Sequence, residues 1–146
     1  MDANKYQQVC TGGLIFNKKE ELLVVKRADD DDFMPGYWEI PGGGTDYGEN
    51  TKEALAREIS EELGLAVDVG YPLHMQSYYM NTERKQIHRI QITFRCDLLD
   101  ETQEIKLSHE HTEYKWISPK ALKELKLSDY MNTLITESLQ NSSSHD

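Results

Sequence analysis

The chain has 146 residues, 38% of them hydrophobic and 29% charged, with nine glycines and four prolines. That length suits one domain, and the composition excludes collagen-like, coiled-coil and mucin-like classes. Sixteen Lys and Arg against 26 Asp and Glu leave a formal charge of −10. The chain therefore has no global cationic footprint for a nucleic-acid polymer or an anionic membrane, and a small anionic substrate would need local Arg or Lys, or bound metal, to overcome the background.

Val9 to Arg27 reads as two apolar, β-branched runs separated by Asn17 to Glu21, a hairpin signal. Asp29 to Asp32 follow as an exposed loop; they lack the alternating ligands, central glycine and terminal glutamate of an EF-hand. Tyr37 to Ile40 is strand-like and PGGG, Pro41 to Gly44, stops it. Asn50, with Glu53 three positions on, resembles a capping box, and Gly64 suits a left-handed helix end, so a helix is predicted over 51–63 with Leu55, Ala56, Ile59 and Leu63 as its packed stripe.

Long antiparallel strands are predicted from about Ala66 to Met80 and Gln86 to Leu99, turning at Asn81 to Lys85, and a shorter strand at Glu113 to Ile117. Ser118-Pro119 opens a short helix to about Leu125, and Ser128 begins a last helix through Leu139. Residues from about 141 to 146 are polar enough to form a flexible tail. With no repeat and no linker, residues 1–146 read as a single α/β domain, a mixed sheet with helices on its faces. Cys10 and Cys96 have no CxxC spacing and read as free core thiols. The start, MDANKYQQVC, lacks a cationic segment followed by an apolar run, and no apolar stretch approaches membrane-spanning length. A cytoplasmic location is expected.

Glu58, Glu61 and Glu62 stand at i, i+3 and i+4 and project from one side of the helix. Taken alone, the commoner meaning of that spacing is a solvated acidic face. Clustered carboxylates repel one another, and divalent cations relieve that cost; hard oxygen ligands suit magnesium or manganese bridging to phosphates.

The wider run changes the balance. GGTDYGENTKEALAREISEELGL, Gly43 to Leu65, carries Gly43, Glu49, Arg57, Glu58, Ile59, Glu61, Glu62, Gly64 and Leu65 in the pattern Gx5Ex7REUxEExGU, with U aliphatic. It resembles the Nudix box, matching every specified position without insertion, and the preceding WEIPGG is a common lead-in. The resemblance implies the Nudix fold, an α/β/α sandwich with a central mixed β-sheet, and a MutT-like hydrolase that cleaves a diphosphate linkage in a nucleoside diphosphate joined to a group X.

It also implies roles. Glu58, Glu61 and Glu62 would hold Mg2+, with Mn2+ as the second choice, and the Gly42 carbonyl would join the metal shell. Arg57 would pair with Glu49 and fix the loop against the helix; Gly43 and Gly64 belong to the motif's backbone. In the family the general base is a box glutamate or a glutamate on a later loop. Here SHEHTEYKW offers Glu113 first, also as a metal ligand, and Glu110 second, while His109 and His111 read more simply as solvated. Arg27 resembles a position that meets substrate phosphate, and Lys26 should face the other way. Tyr78, Tyr79, Phe33 and Phe94 are aromatic candidates for a base pocket, with Phe94 better explained as core.

The implied reaction on a (d)NTP or modified nucleotide gives a nucleoside monophosphate and pyrophosphate. Nucleotide sugars such as ADP-ribose and dinucleoside polyphosphates remain alternatives, as does a nucleotide-binding regulatory module without turnover. Many family members dimerise, so a homodimer is a further expectation, whereas a nucleic-acid polymer or membrane partner is not.

Overall fold

Side-chain alternation along β1 (Lys5–Phe16) and β2 (Leu22–Arg27) decides where the core lies. Leu14, Phe16, Leu22 and Val24 pack into one buried cluster, and their neighbours Ile15, Leu23 and Val25 into another. Strands apolar on both faces must be covered on both. In the computed structural model, which describes residues 4–143, α1 (Thr51–Leu63) covers the Ile15 side through Leu55, Ile59 and Leu63. A 3-10 turn (Pro119–Glu124) and α2 (Asp129–Ser143) cover the Leu14 side through Leu122, Leu134 and Ile135. The result is the helix–sheet–helix layering expected from the sequence. Full burial of each such side chain contributes roughly 1.5–3 kcal/mol, so α1 is held by packing more than by propensity.

The remaining strands are β3 (Trp38–Glu39), β4 (Gly42–Gly44), β5 (Val67–Asn81), β6 (Gln86–Leu98) and β7 (His111–Ile117). The sheet runs β3-β2-β1-β6-β5, with β4 on β1 and β7 on β2. β1 and β6 are parallel from Lys5↔Gln86 to Phe16↔Asp97; the other pairs are antiparallel. The predicted hairpin is only partly realised, since β1 and β2 meet at Phe16↔Leu22 while β1 pairs along its length with β6 and β2 pairs with β7. PGGG does not merely stop a strand: Gly42–Gly44 forms β4 against Cys10–Gly12.

Helix α1 has the predicted bounds. Asn50 Oδ1 accepts from the N–H groups of Lys52 and Glu53, and Gly64 closes the helix at φ 66° by donating its N–H to the Ser60 carbonyl. Its buried residues are Ala54, Leu55, Ile59, Glu62 and Leu63, with Ala56 only half-buried, so the covered face is rotated toward Ala54 and takes in a glutamate. The expected tail is partly corrected as well. α2 continues to Ser143 because Asn141 Nδ2 donates to the Leu73 carbonyl and Ser142 Oγ accepts from Arg95, tying this turn to the sheet. Residues 144–146 lie outside the described residues. Cys10 and Cys96 are free and buried, as expected, and burial pushes the Cys96 thiol up to about 12. Among the described residues no helix is long and apolar enough to cross a membrane.

Candidate active site

Three pieces of chain converge at the C-terminal half of α1. The first is the helix, which presents Glu58, Glu61 and Glu62. The second is β4, whose Gly42 N–H donates to Glu62 Oε2 at 3.0 Å. Pairing of Gly42–Gly44 with Cys10–Gly12 sets this strand beside the helix carboxylates. Gly42 has φ 156°, and a Cβ there would lie 2.0 Å from the Thr11 carbonyl oxygen. At Gly43 a Cβ would lie 2.5 Å from Glu58 Cδ. The bare Gly42 lets β4 close onto the β1 backbone, and the bare Gly43 lets it lie directly against the Glu58 carboxylate.

The third piece is the loop before β7. Lys106 N–H donates to the Leu63 carbonyl at 2.8 Å and Ser108 N–H to the Glu62 carbonyl at 2.9 Å, docking the loop on the helix end. Ser108 Oγ accepts from Glu110 N–H, and the Glu110 carbonyl accepts from Ala28 N–H. This fixes Glu110 beside Glu62. One carboxylate oxygen from each, together with a ring nitrogen of His111, lie within 4.8 Å of one another.

The electrostatics of this group are adverse without a cation. Glu62 is 5% exposed, and burial first, then the Glu110 carboxylate, push it up to about 9, while the Gly42 N–H only partly offsets them. Glu58 is also raised, by burial first, against the pull of Arg57. Among the described residues Glu62 and Glu110 have no ion-pair partner.

Arg57 holds the motif together. Its Nε and Nη2 donate to the two oxygens of Glu49 at 2.7 and 2.9 Å, Nη1 reaches Glu58 at 3.1 Å and Glu61 at 3.2 Å, and Nη2 reaches the Gly44 carbonyl at 3.4 Å. The bidentate pair pulls Glu49 down to about 2, the Arg57 hydrogen bonds being the first cause and the Asp46 N–H the next. The predicted Arg57–Glu49 pairing is therefore present.

Two expectations are corrected. Glu113 does not join the carboxylates; it forms an ion pair with Lys26 at 3.2 Å. Simple alternation would put His111 and Glu113 on one face, but β7 is bulged: Arg27 opposes His111 and Lys26 opposes Glu113, leaving Thr112 as the extra residue. The bulge turns Glu113 to the Lys26 side and leaves Glu110 as the loop carboxylate at the site.

Arg27, expected at a phosphate, is occupied by protein. Nε donates to the Phe33 carbonyl, Nη1 to Glu39, and Nη2 to Asp31 at 2.7 Å. Arg27 and Lys26 face opposite ways, as predicted.

His111 was missed. It is 4% exposed rather than solvated, and its Nε2 lies 2.8 Å from Glu39 Oε2. The only sequence signal was its place one residue after Glu110. Among the aromatics, Phe94 is core, Tyr78 packs edge-on against Tyr130, Tyr79 stacks on His88, and Phe33 is exposed under the Arg27 guanidinium.

Gly42→Ala is expected to cost a few kcal/mol of stability, because the new Cβ collides with backbone and the φ disfavours any L side chain. Chemical denaturation checks it, and a variant within about 0.5 kcal/mol of the parent would show that β4 is not held as described.

A model of the NUDIX domain matches residues 6–137. The nucleoside triphosphatase NudI of Escherichia coli (strain K12) is 36% identical over 107 residues, covering 68% of this chain and 74% of that protein. The crystal structure of a MutT protein from Methanosarcina mazei Go1 superposes with a TM-score of 0.78 at 29% identity, over 97% of this chain and 99% of that one. A MutT NUDIX hydrolase from Burkholderia pseudomallei shares the fold with a TM-score of 0.75 at 22% identity, over 90% and 98%.

Proposed function

The chain belongs to the Nudix family and is a hydrolase of phosphorus-containing anhydrides; from its site we propose that it is a divalent-cation-dependent pyrophosphohydrolase that converts a nucleoside triphosphate, canonical or modified, to the monophosphate and pyrophosphate. The observation that carries this reading is the cluster of Glu58, Glu61, Glu62 and Glu110 with, among the described residues, only Arg57 to offset it. A polyphosphate cannot approach such a cluster unaided. The donor set fits a hard divalent cation: closely set carboxylate oxygens, those of Glu62 buried, with the Gly42 backbone beside them. The triphosphate preference is supported by the NudI likeness and by a chain with few insertions in which to build a larger pocket.

Glu61, Glu62 and Glu110, with the Gly42 carbonyl, would hold the cation. When bound, it would neutralise phosphate oxygens and acidify a water. Glu58 is assigned as the proton acceptor: burial raises its carboxyl from the ordinary value, and one oxygen is steadied by Arg57 Nη1. The water attacks phosphorus, the anhydride P–O bond breaks, and the proton goes to Glu58. Arg57 keeps Glu49, Glu58 and Glu61 in register, and Arg27 is reassigned from phosphate contact to fixing Glu39. Residues 1–146 form a single domain in this reading. The two free thiols suit a reducing compartment and hence the cytoplasm.

The test is a phosphate-release screen with Mg2+ and with Mn2+, coupled separately to pyrophosphatase and to phosphatase. The panel holds canonical and oxidised triphosphates, ADP-ribose, nucleotide sugars and dinucleoside polyphosphates. A triphosphate is expected to give the highest kcat/KM, with pyrophosphate as product. A nucleotide sugar or dinucleoside polyphosphate turned over faster would overturn the substrate class, and binding without turnover would favour a regulatory module.

A further inference from the structure

His111 takes no part in the reaction just described, yet it is the most completely buried polar ring at the site. Its Nε2 sits 2.8 Å from Glu39 Oε2, and Glu39 is itself clamped by Arg27 Nη1 at 3.2 Å from each oxygen. A carboxylate accepts, so this contact selects the tautomer with the proton on Nε2 and leaves a lone pair on Nδ1. Nδ1 is buried and has no hydrogen-bond partner among the described residues. A ring nitrogen of the same residue lies within 4.8 Å of carboxylate oxygens of both Glu62 and Glu110.

We propose that Nδ1 of His111 is a nitrogen ligand to a divalent cation shared with Glu62 and Glu110, giving this centre a preference for first-row transition ions over Mg2+. The inference rests on the cation-dependent reading of the carboxylate cluster and adds a ligand of a different chemical kind to it. Three features support it together. An orphaned buried nitrogen costs desolvation energy that a bond to a cation repays. The Glu39–His111 contact has the form in which a ligating imidazole donates its other N–H to a carboxylate, fixing ring orientation and raising basicity. The spacing is also close to what one ion requires: with ligands at about 2.1 Å, opposite donors are about 4.2 Å apart, so small side-chain movements close the 4.8 Å group. Imidazole nitrogen favours transition ions, whereas Mg2+ prefers oxygen. The bulge at Thr112 matters here too, since it places His111 with Arg27 and away from Lys26.

Mn2+ alone is the probe. Pulsed electron paramagnetic resonance of the Mn2+-loaded full chain is expected to show 14N modulation that changes to the 15N pattern when histidine is 15N-labelled, and that disappears in His111→Asn. In the same variant Mn2+ affinity should fall by about tenfold or more, while Mg2+ affinity, measured by competition, changes by less than about threefold because oxygen ligands carry it. Should His111→Asn fail to fold by circular dichroism, His111→Gln takes its place. Mn2+ bound without nitrogen coupling, coupling that persists in the variant, or parallel loss of both affinities would overturn the His111 assignment alone. Failure of the parent protein to bind Mn2+ at all would overturn the cation reading beneath it.

Discussion

Glu62→Gln is expected to lower kcat by at least about a thousandfold while making the cation-free protein more stable at neutral and alkaline pH. Both effects come from one carboxylate that is 5% exposed and pushed up to about 9. In the unfolded chain this group titrates near 4.5, so between roughly pH 4.5 and 9 the folded, cation-free protein binds a proton that the unfolded chain does not. Stability from that proton is fully present below 4.5 and is lost as pH rises through 9. Neutral glutamine removes the slope, with a gain on the order of a few kcal/mol at pH 8. Thermal unfolding in EDTA at pH 5 and pH 8, with steady-state kinetics in Mg2+, measures both. A variant as active as the parent would remove Glu62 from the chemistry, and an unchanged pH slope would show that it is not the buried group responsible.

The second large effect separates Glu110 from Glu113. Glu110→Gln should lower kcat about a hundredfold, because its carboxylate shares the site with Glu62, whereas Glu113→Gln should change it less than about threefold, having broken only a partly exposed pair with Lys26. Parallel measurements on the best triphosphate decide it. The reverse order would mean that the bulge in β7 does not orient these residues as described.

This pair also marks where the sequence stopped being legible. Helix α1 could be read closely because its signals are local: Asn50, the apolar period, Gly64 and the carboxylate spacing all lie within one short run. The motif therefore points to Glu58, Glu61, Glu62, Arg57 and Glu49 together, and Arg57 does gather Glu49, Glu58 and Glu61. The sequence puts Glu113 ahead of Glu110, whereas the structure sets Glu110 beside Glu62 and Glu113 on Lys26, because their faces depend on one extra residue in a ladder with β2 and alternation assumes an unbroken register. His111 was lost for the same reason, its partner Glu39 being 72 positions away. Nor does hydrophobic pattern distinguish a hairpin β1–β2 from the parallel pairing of β1 with β6, because both bury the same alternating residues. Arg27 illustrates a different failure: an arginine at a strand end gives no sign that Asp31, Glu39 and the Phe33 carbonyl will engage all three of its side-chain nitrogens.

The most direct test of the central claim, that a carboxylate centre on α1 and the loop before β7 works through a bound divalent cation, is pyrophosphate formation from the best triphosphate by EDTA-treated protein before and after cation is restored. The account predicts no turnover above the Glu62→Gln background in EDTA and full recovery on adding Mg2+ or Mn2+. Undiminished turnover in EDTA would contradict it.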